Sequence, residues 1–204
     1  MSKVLLIVFV KNIILGKVKT RLAKTVGDNL AFKVYKELVD VTETASLRVK
    51  ADKHIYFSDV VINSKWADEL KFVQEGGDLG ERMQNAFEKG FEEGYKRIIL
   101  IGSDLPDISP SIIEDGFDVL EKNEVVFGPA EDGGYYLVGM TSPQFSVFQN
   151  KKWSTEGLLE NTLSELNEKN IKTTLLQTLN DIDTFEDLKS SKLYNDKKFH
   201  LLDN

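Results

Sequence analysis

The sequence contains no cysteine, which excludes disulfides, thiolate metal sites and cysteine nucleophiles. Histidine is almost as scarce. His54 and His200 are the two present, too few for a histidine-rich zinc centre or a serine–histidine–aspartate engine. Long apolar runs are missing as well: the run from Met1 to Val10 is too short for a signal peptide or a membrane span. It reads instead as a first buried strand, so no membrane span and a cytoplasmic location are expected. Net positive charge is lacking too, since 26 Lys and Arg face 33 Asp and Glu, giving −7 and arguing against a nucleic-acid partner. Two phosphate-binding signatures are absent. Gly16-Lys17 lacks the upstream glycine and following Ser/Thr of a Walker A loop, and Gly76-Gly77-Asp78-Leu79-Gly80 lacks the order of a dinucleotide fingerprint.

What is present is an ordinary globular composition: 204 residues, 41% hydrophobic and 29% charged. No repeat, low-complexity tract or linker divides it. The expected organisation is a single domain over residues 1–191 and a polar, loosely held tail over residues 192–204. Charge is unevenly spread. Through Lys36 there are eight Lys and Arg against Asp28 alone, and the remainder is acidic. A local cationic patch on an acidic protein suits a small anionic ligand.

Strand-like and helix-like stretches alternate. Strands are expected to Val10, over Lys53 to Ser58, Leu70 to Gln74, Arg97 to Ile101, Glu124 to Phe127, Tyr135 to Met140 and Ile171 to Gln177. Between them, Asp28 is expected to cap a helix carrying Leu30, Val34, Leu38, Val41 and Ala45. A second helix carries Leu79, Met83, Phe87 and Phe91. Ser109-Pro110 start a third, Ser154 or Thr155 a fourth, and Thr184 to Asp187 a capped final one. The pattern implies an α/β fold, a three-layer α/β/α sandwich on a mainly parallel sheet with one antiparallel excursion.

The aliphatic run Ile98 to Ile101 reads as a strand buried on both faces, ending in Gly102-Ser103-Asp104 before Pro106 stops further pairing. Asp104 is thereby presented at the carboxyl edge of a central strand, where open α/β sheets bind ligands. A carboxylate there suits a hard cation such as Mg2+, with phosphate oxygens completing the shell. Asp181 and Asp183 follow the last strand and would reach the same rim. Lys17, Lys19 and Arg21, at every second position after Gly16, would point to one side of an extended loop and hold a di- or triphosphate. Gly76, Gly77 and Gly80, with Arg82 beyond them, permit close backbone approach to a nucleotide, or simply a tight turn. Asp132-Gly133-Gly134 reads equally as a hairpin turn, with Glu131 and Asp132 as candidates for an acceptor's hydroxyls or amine.

Together, Lys11-Asn12, Gly16 to Leu22, Gly77 to Met83, Gly102 to Asp107, Gly128 to Tyr136, Trp153-Ser154-Thr155 and Asp181 to Thr184 resemble the radical-SAM/selenodomain-associated transferase family of glycosyltransferases. That family lies in the GT-A, nucleotide-diphospho-sugar transferase superfamily, alongside phospholactate and molybdenum-cofactor guanylyltransferases. Ile13 departs from it, where a proline follows Lys-Asn. The resemblance implies that Asp104 and Asp183 are metal-side carboxylates for Mg2+ or Mn2+. It places Lys17, Lys19 and Arg21, after Gly16, in the phosphate-binding loop, and Gly76, Gly77 and Gly80 near the base. The expected activity is metal-dependent transfer from a nucleoside triphosphate or nucleotide sugar to a small phosphorylated or hydroxylated acceptor. Nucleotidyl transfer ranks first, glycosyl transfer second and non-catalytic nucleotide binding third.

Overall fold

A computed structural model describes residues 3–195 of the chain. Seven strands form one sheet: β1 (Val4–Val10), β2 (Asp52–Phe57), β3 (Leu70–Val73), β4 (Arg97–Ile101), β5 (Val125–Pro129), β6 (Tyr135–Met140) and β7 (Thr173–Leu175). Their order is β3-β2-β1-β4-β6-β5-β7. β1, β2, β3 and β4 run parallel, as do β5 and β7, while β6 is antiparallel to both of its neighbours. That strand is the antiparallel excursion expected after Asp132-Gly133.

Among the described residues the seven α-helices are α1 (Thr20–Val26), α2 (Asp28–Leu47), α3 (Leu79–Glu92), α4 (Pro110–Val119), α5 (Leu158–Glu168), α6 (Phe185–Ser190) and α7 (Lys192–Asn195). They form two layers because β1 is apolar on both faces. Leu6, Val8 and Val10 join a core with Leu22, Leu38, Ile113 and Leu188, while Leu5, Ile7 and Phe9 join one with Met83, Phe87 and Leu159. That is the period-two alternation of a strand covered on both sides. Each fully buried Leu or Ile contributes roughly 1.5–3 kcal/mol, and β1 and β4 hold most of theirs in this state.

Four details depart from the sequence reading. Asp28 opens α2 but does not cap it: Gly27 is the cap, and no side chain bonds there. Neither Ser154 nor Thr155 caps α5, which follows Gly157. β7 is shorter than expected, because beyond Leu175 the chain pairs with β5 only through scattered contacts such as Leu179 N–H to Pro129 O at 3.1 Å. The segment from Lys192 is not loose at its start. It forms α7, with Leu193 buried and Lys192 Nζ 2.6 Å from Asp107. The rest of the expected tail, residues 196–204, lies outside the described residues. Among those described, no helix is long and apolar enough to cross a membrane.

Candidate functional site

Three chain segments meet at the carboxyl edge of β1 and β4. The first is the exit of β1. Asn12 is buried and accepts from the backbone N–H groups of Asp59 (2.7 Å) and Val60 (3.2 Å), while its amide donates to Val60 O (2.8 Å). Tyr35, from α2, accepts from Lys11 N–H (3.0 Å), donates to Lys11 O (3.1 Å) and lies 2.9 Å from Ser103 Oγ. Burial pushes its phenol up to about 12. One hydroxyl therefore joins the exits of β1 and β4.

The second segment is the basic loop, and here the extended geometry expected from the sequence is wrong. Lys19 adopts left-handed φ 46°, and Arg21 already belongs to α1. A non-glycine residue in that region costs on the order of 1 kcal/mol, and what it gains is visible. Its side chain, 5% exposed, turns inward to place Nζ 3.2 Å from Asp104 and 3.0 Å from Asp183, with Asp181 at 3.9 Å. Arg21 Nη1 lies 3.3 Å from Asp183 from outside. Lys17 does not converge with them. It is exposed, its N–H bonded to Ile14 O at 3.0 Å, and like Gly16 it contributes nothing to the cleft described below.

The third segment is Asp181-Ile182-Asp183. Ile182 is buried in the core and its N–H reaches Asp104 O at 3.4 Å. In an extended stretch that alternation turns both flanking carboxylates to the side opposite Ile182, toward Lys19. Behind them, Asp187 completes a capping box with Thr184 and also accepts from Asp183 N–H at 3.1 Å. Although burial opposes its ionisation, these bonds hold the Asp187 carboxyl below its ordinary value.

Three carboxylates around one buried ammonium are not balanced. Burial opposes charge on Lys19, yet Asp104, Asp183 and Asp181 hold its ammonium above the ordinary lysine value. Asp181 bears the excess: burial first, then Asp104, push its carboxyl up to about 7, despite Lys19. Oxygen-only donors with surplus negative charge fit a hard divalent cation better than any softer metal. Among the described residues, however, no three acidic or histidine side chains already close around an ion position. Asp104 and Asp183, about 41% and 40% exposed, could supply part of a shell that ligand oxygens would complete.

The cluster closes one end of a cleft of about 680 Å3. Lys11, Lys19, Arg21 and Arg82 line it against Asp104 and Asp183, with Phe9 and Leu79 as apolar wall. Two smaller clefts, about 300 and 470 Å3, share Asp183 and Ser154 with it. Asp132 lines both, and Glu131 the larger. Arg82 is the member of its segment that reaches the cleft together with Leu79. Gly76, Gly77 and Gly80 do not line it. Gly80 answers a packing demand, since a Cβ there would sit 2.5 Å from Phe148 O. The hairpin reading of Asp132-Gly133-Gly134 holds: Asp132 accepts from Gly134 N–H at 2.9 Å, and Gly133 has φ +85°. Sequence reasoning missed Tyr35 as an organiser of the site, because it reads as one more inward position of an amphipathic helix. Asp187 was read as part of a helix start, with nothing to signal its hold on Asp183.

The sequence matches a family described as an uncharacterized protein conserved in bacteria, DUF2064, over residues 45–155. The chain belongs to that family. A search of curated proteins gives no match. Among solved structures, a candidate nucleotide-diphospho-sugar transferase from Desulfovibrio desulfuricans is 31% identical, with TM-score 0.89 over 98% of this chain and 91% of that one. More distant structures share the fold. The 4-diphosphocytidyl-2C-methyl-D-erythritol synthase of Anaerococcus prevotii is 12% identical with TM-score 0.64, covering 95% of this chain and 96% of its own. A manganese complex of Rv0371C from Mycobacterium tuberculosis is 13% identical with TM-score 0.56, covering 96% and 100%. This DUF2064 chain thus has the α/β fold of nucleotide-diphospho-sugar transferases and cytidylyltransferases.

Proposed function

We propose that this chain is a divalent-metal-dependent enzyme that transfers a nucleotidyl group from a nucleoside triphosphate to a small acceptor. The observation carrying this reading is the meeting of Asp104 and Asp183, distant in sequence, around Lys19 at the end of a cleft with a surplus of cations. Four basic side chains against two carboxylates suit a polyphosphate. Asp104 and Asp183 are the residues to hold Mg2+ or Mn2+, which when bound supplies Lewis-acid polarisation of phosphoryl oxygens and neutralises leaving-group charge. Lys19 and Arg21 stand beside the same position and add fixed positive charge where it develops, and Arg82 and Lys11 orient the remainder of the nucleotide. The acceptor oxygen bonds to the α-phosphorus as its bond to pyrophosphate breaks, so no covalent nucleophile is needed. The narrower placement among radical-SAM/selenodomain-associated transferases belongs to this proposal.

Glycosyl transfer from a nucleotide sugar is the second reading. It is favoured by the description of the 31%-identical relative and by the acidic clefts beside Asp183. A panel of nucleoside triphosphates and nucleotide sugars separates the two. Mg2+-dependent pyrophosphate release that disappears in Asp104→Ala supports nucleotidyl transfer. Tighter calorimetric binding of a nucleotide sugar than of its triphosphate transfers the assignment to glycosyl transfer. Tight nucleotide binding with no turnover of any pair leaves a binding protein and refutes both.

A further inference from the structure

The two clefts that share Asp183 and Ser154 with the cationic cleft are acidic where it is basic. We infer that they form the acceptor subsite and that the acceptor is a phosphate-free molecule rich in O–H or N–H donors, a polyol or amino-polyol. This rests on the reading that a nucleotide fills the neighbouring cationic cleft.

Glu131, Asp132, Glu156 and Asp183 line the larger of the two, and Asp104, Asp132, Asp181 and Asp183 the smaller. Arg21 is the single cation on either wall among the described residues, and Asp183 already engages it. A phosphomonoester needs Arg or Lys donors and would find Glu131, Asp132 and Glu156, carboxylates that no metal is assigned to neutralise, a repulsion that disfavours it. Hydroxyl and ammonium donors find acceptors instead. A second observation points to a ligand independently of the acids. Tyr135 forms part of the smaller cleft's wall, and its buried hydroxyl has no hydrogen-bond partner. Unsatisfied buried hydroxyls are rare in folded proteins, and a donor-rich ligand that reaches past the ring would satisfy this one. Beside Tyr135 stands Trp153, their rings 6.4 Å apart and nearly perpendicular, which offers an apolar wall for the C–H face of a polyol.

Trp153 also provides the assay. The other tryptophan, Trp66, is fully buried in the core on the opposite face of the sheet. Emission is titrated with glucosamine, glucose and glucose 6-phosphate, in the presence and absence of Mg2+ and whichever nucleotide gives the largest thermal shift. Trp153→Phe identifies the signal. Glucosamine or glucose is expected to bind at least about tenfold tighter than glucose 6-phosphate, and the Glu131→Gln/Asp132→Asn/Glu156→Gln variant is expected to erase most of that difference. Tighter binding of the phosphate ester, or no response of Trp153 to either unphosphorylated sugar, overturns the inference. Absence of any nucleotide-induced thermal shift overturns the proposed function instead, and the two failures are thereby distinguished.

Discussion

Asp181→Asn should stabilise this protein, and by an amount that depends on pH. The carboxyl is buried beside Asp104 and Asp183, and its folded-state value is pushed from 3.8 to about 7. At about 1.36 kcal/mol per unit, three units set an upper bound of roughly 4 kcal/mol for the penalty of ionising it in the folded state. The side chain keeps 21% exposure, so local relaxation and water reduce this to about 2 kcal/mol. The sign follows from proton binding. Between the unfolded and folded values the folded state holds the extra proton, so wild-type stability rises as pH falls from about 7 toward 4. Asparagine has no charge to suppress, so its advantage is full at pH 8 and gone near pH 4. Urea unfolding at both pH values measures it directly. In a chain of this length about 2 kcal/mol corresponds to a rise in Tm of roughly 4–8 °C at pH 8. The reasoning is refuted if Asp181→Asn is neutral at pH 8, or if the same gain persists at pH 4.

Removing the cation should do the reverse. Lys19→Met leaves three carboxylates facing one another and is expected to lower stability by about 3 kcal/mol at pH 8, with partial recovery on acidification, read by the same urea titrations. Gly133→Ala places a Cβ 1.9 Å from Glu156 O at φ +85°. It should destabilise by several kcal/mol by thermal melting, and a near-neutral result would show that the hairpin is free to move. Asp187→Ala should lower stability by about 1–2 kcal/mol through loss of the cap and raise the apparent metal requirement of any turnover by releasing Asp183, which titration of activity with Mg2+ detects.

Much of the scaffold was legible because each element obeys a single local rule. Ile98 to Ile101 is uniformly aliphatic, and Ser109-Pro110 and Thr184 to Asp187 carry complete start signals that the structure realises. Legibility fails where tertiary forces override local pattern. The alternation of Lys17, Lys19 and Arg21 suggested an extended loop. Instead Leu22, fully buried, draws Thr20–Val26 into a helix, and the carboxylates draw Lys19 into a left-handed conformation. No local rule encodes an attraction to residues more than 80 positions away. The convergence of Asp104 and Asp183 was inferred from the direction of their strands. Asp181 was expected at the same rim from its place after the last strand, but its displaced titration becomes visible only once burial is known.

The place of β6 in the sheet has a consequence for motion. β3, β2, β1 and β4 form one leaf and β6, β5 and β7 another, and the sheet joins them through the pairing of Ile98–Ile101 with Leu137–Met140, continued by the Gly102 N–H to Tyr136 O bond at 3.3 Å. Lys19, Arg82 and Asp104 ride on the first leaf, Asp132 and Asp183 on the second. The groove therefore lies along the seam between the two leaves, and a ligand bridging them would add contacts across it. Amide exchange at Leu100, Ile101, Leu137 and Val138 should slow when such a ligand binds, even though these residues lie in the sheet and not in the groove.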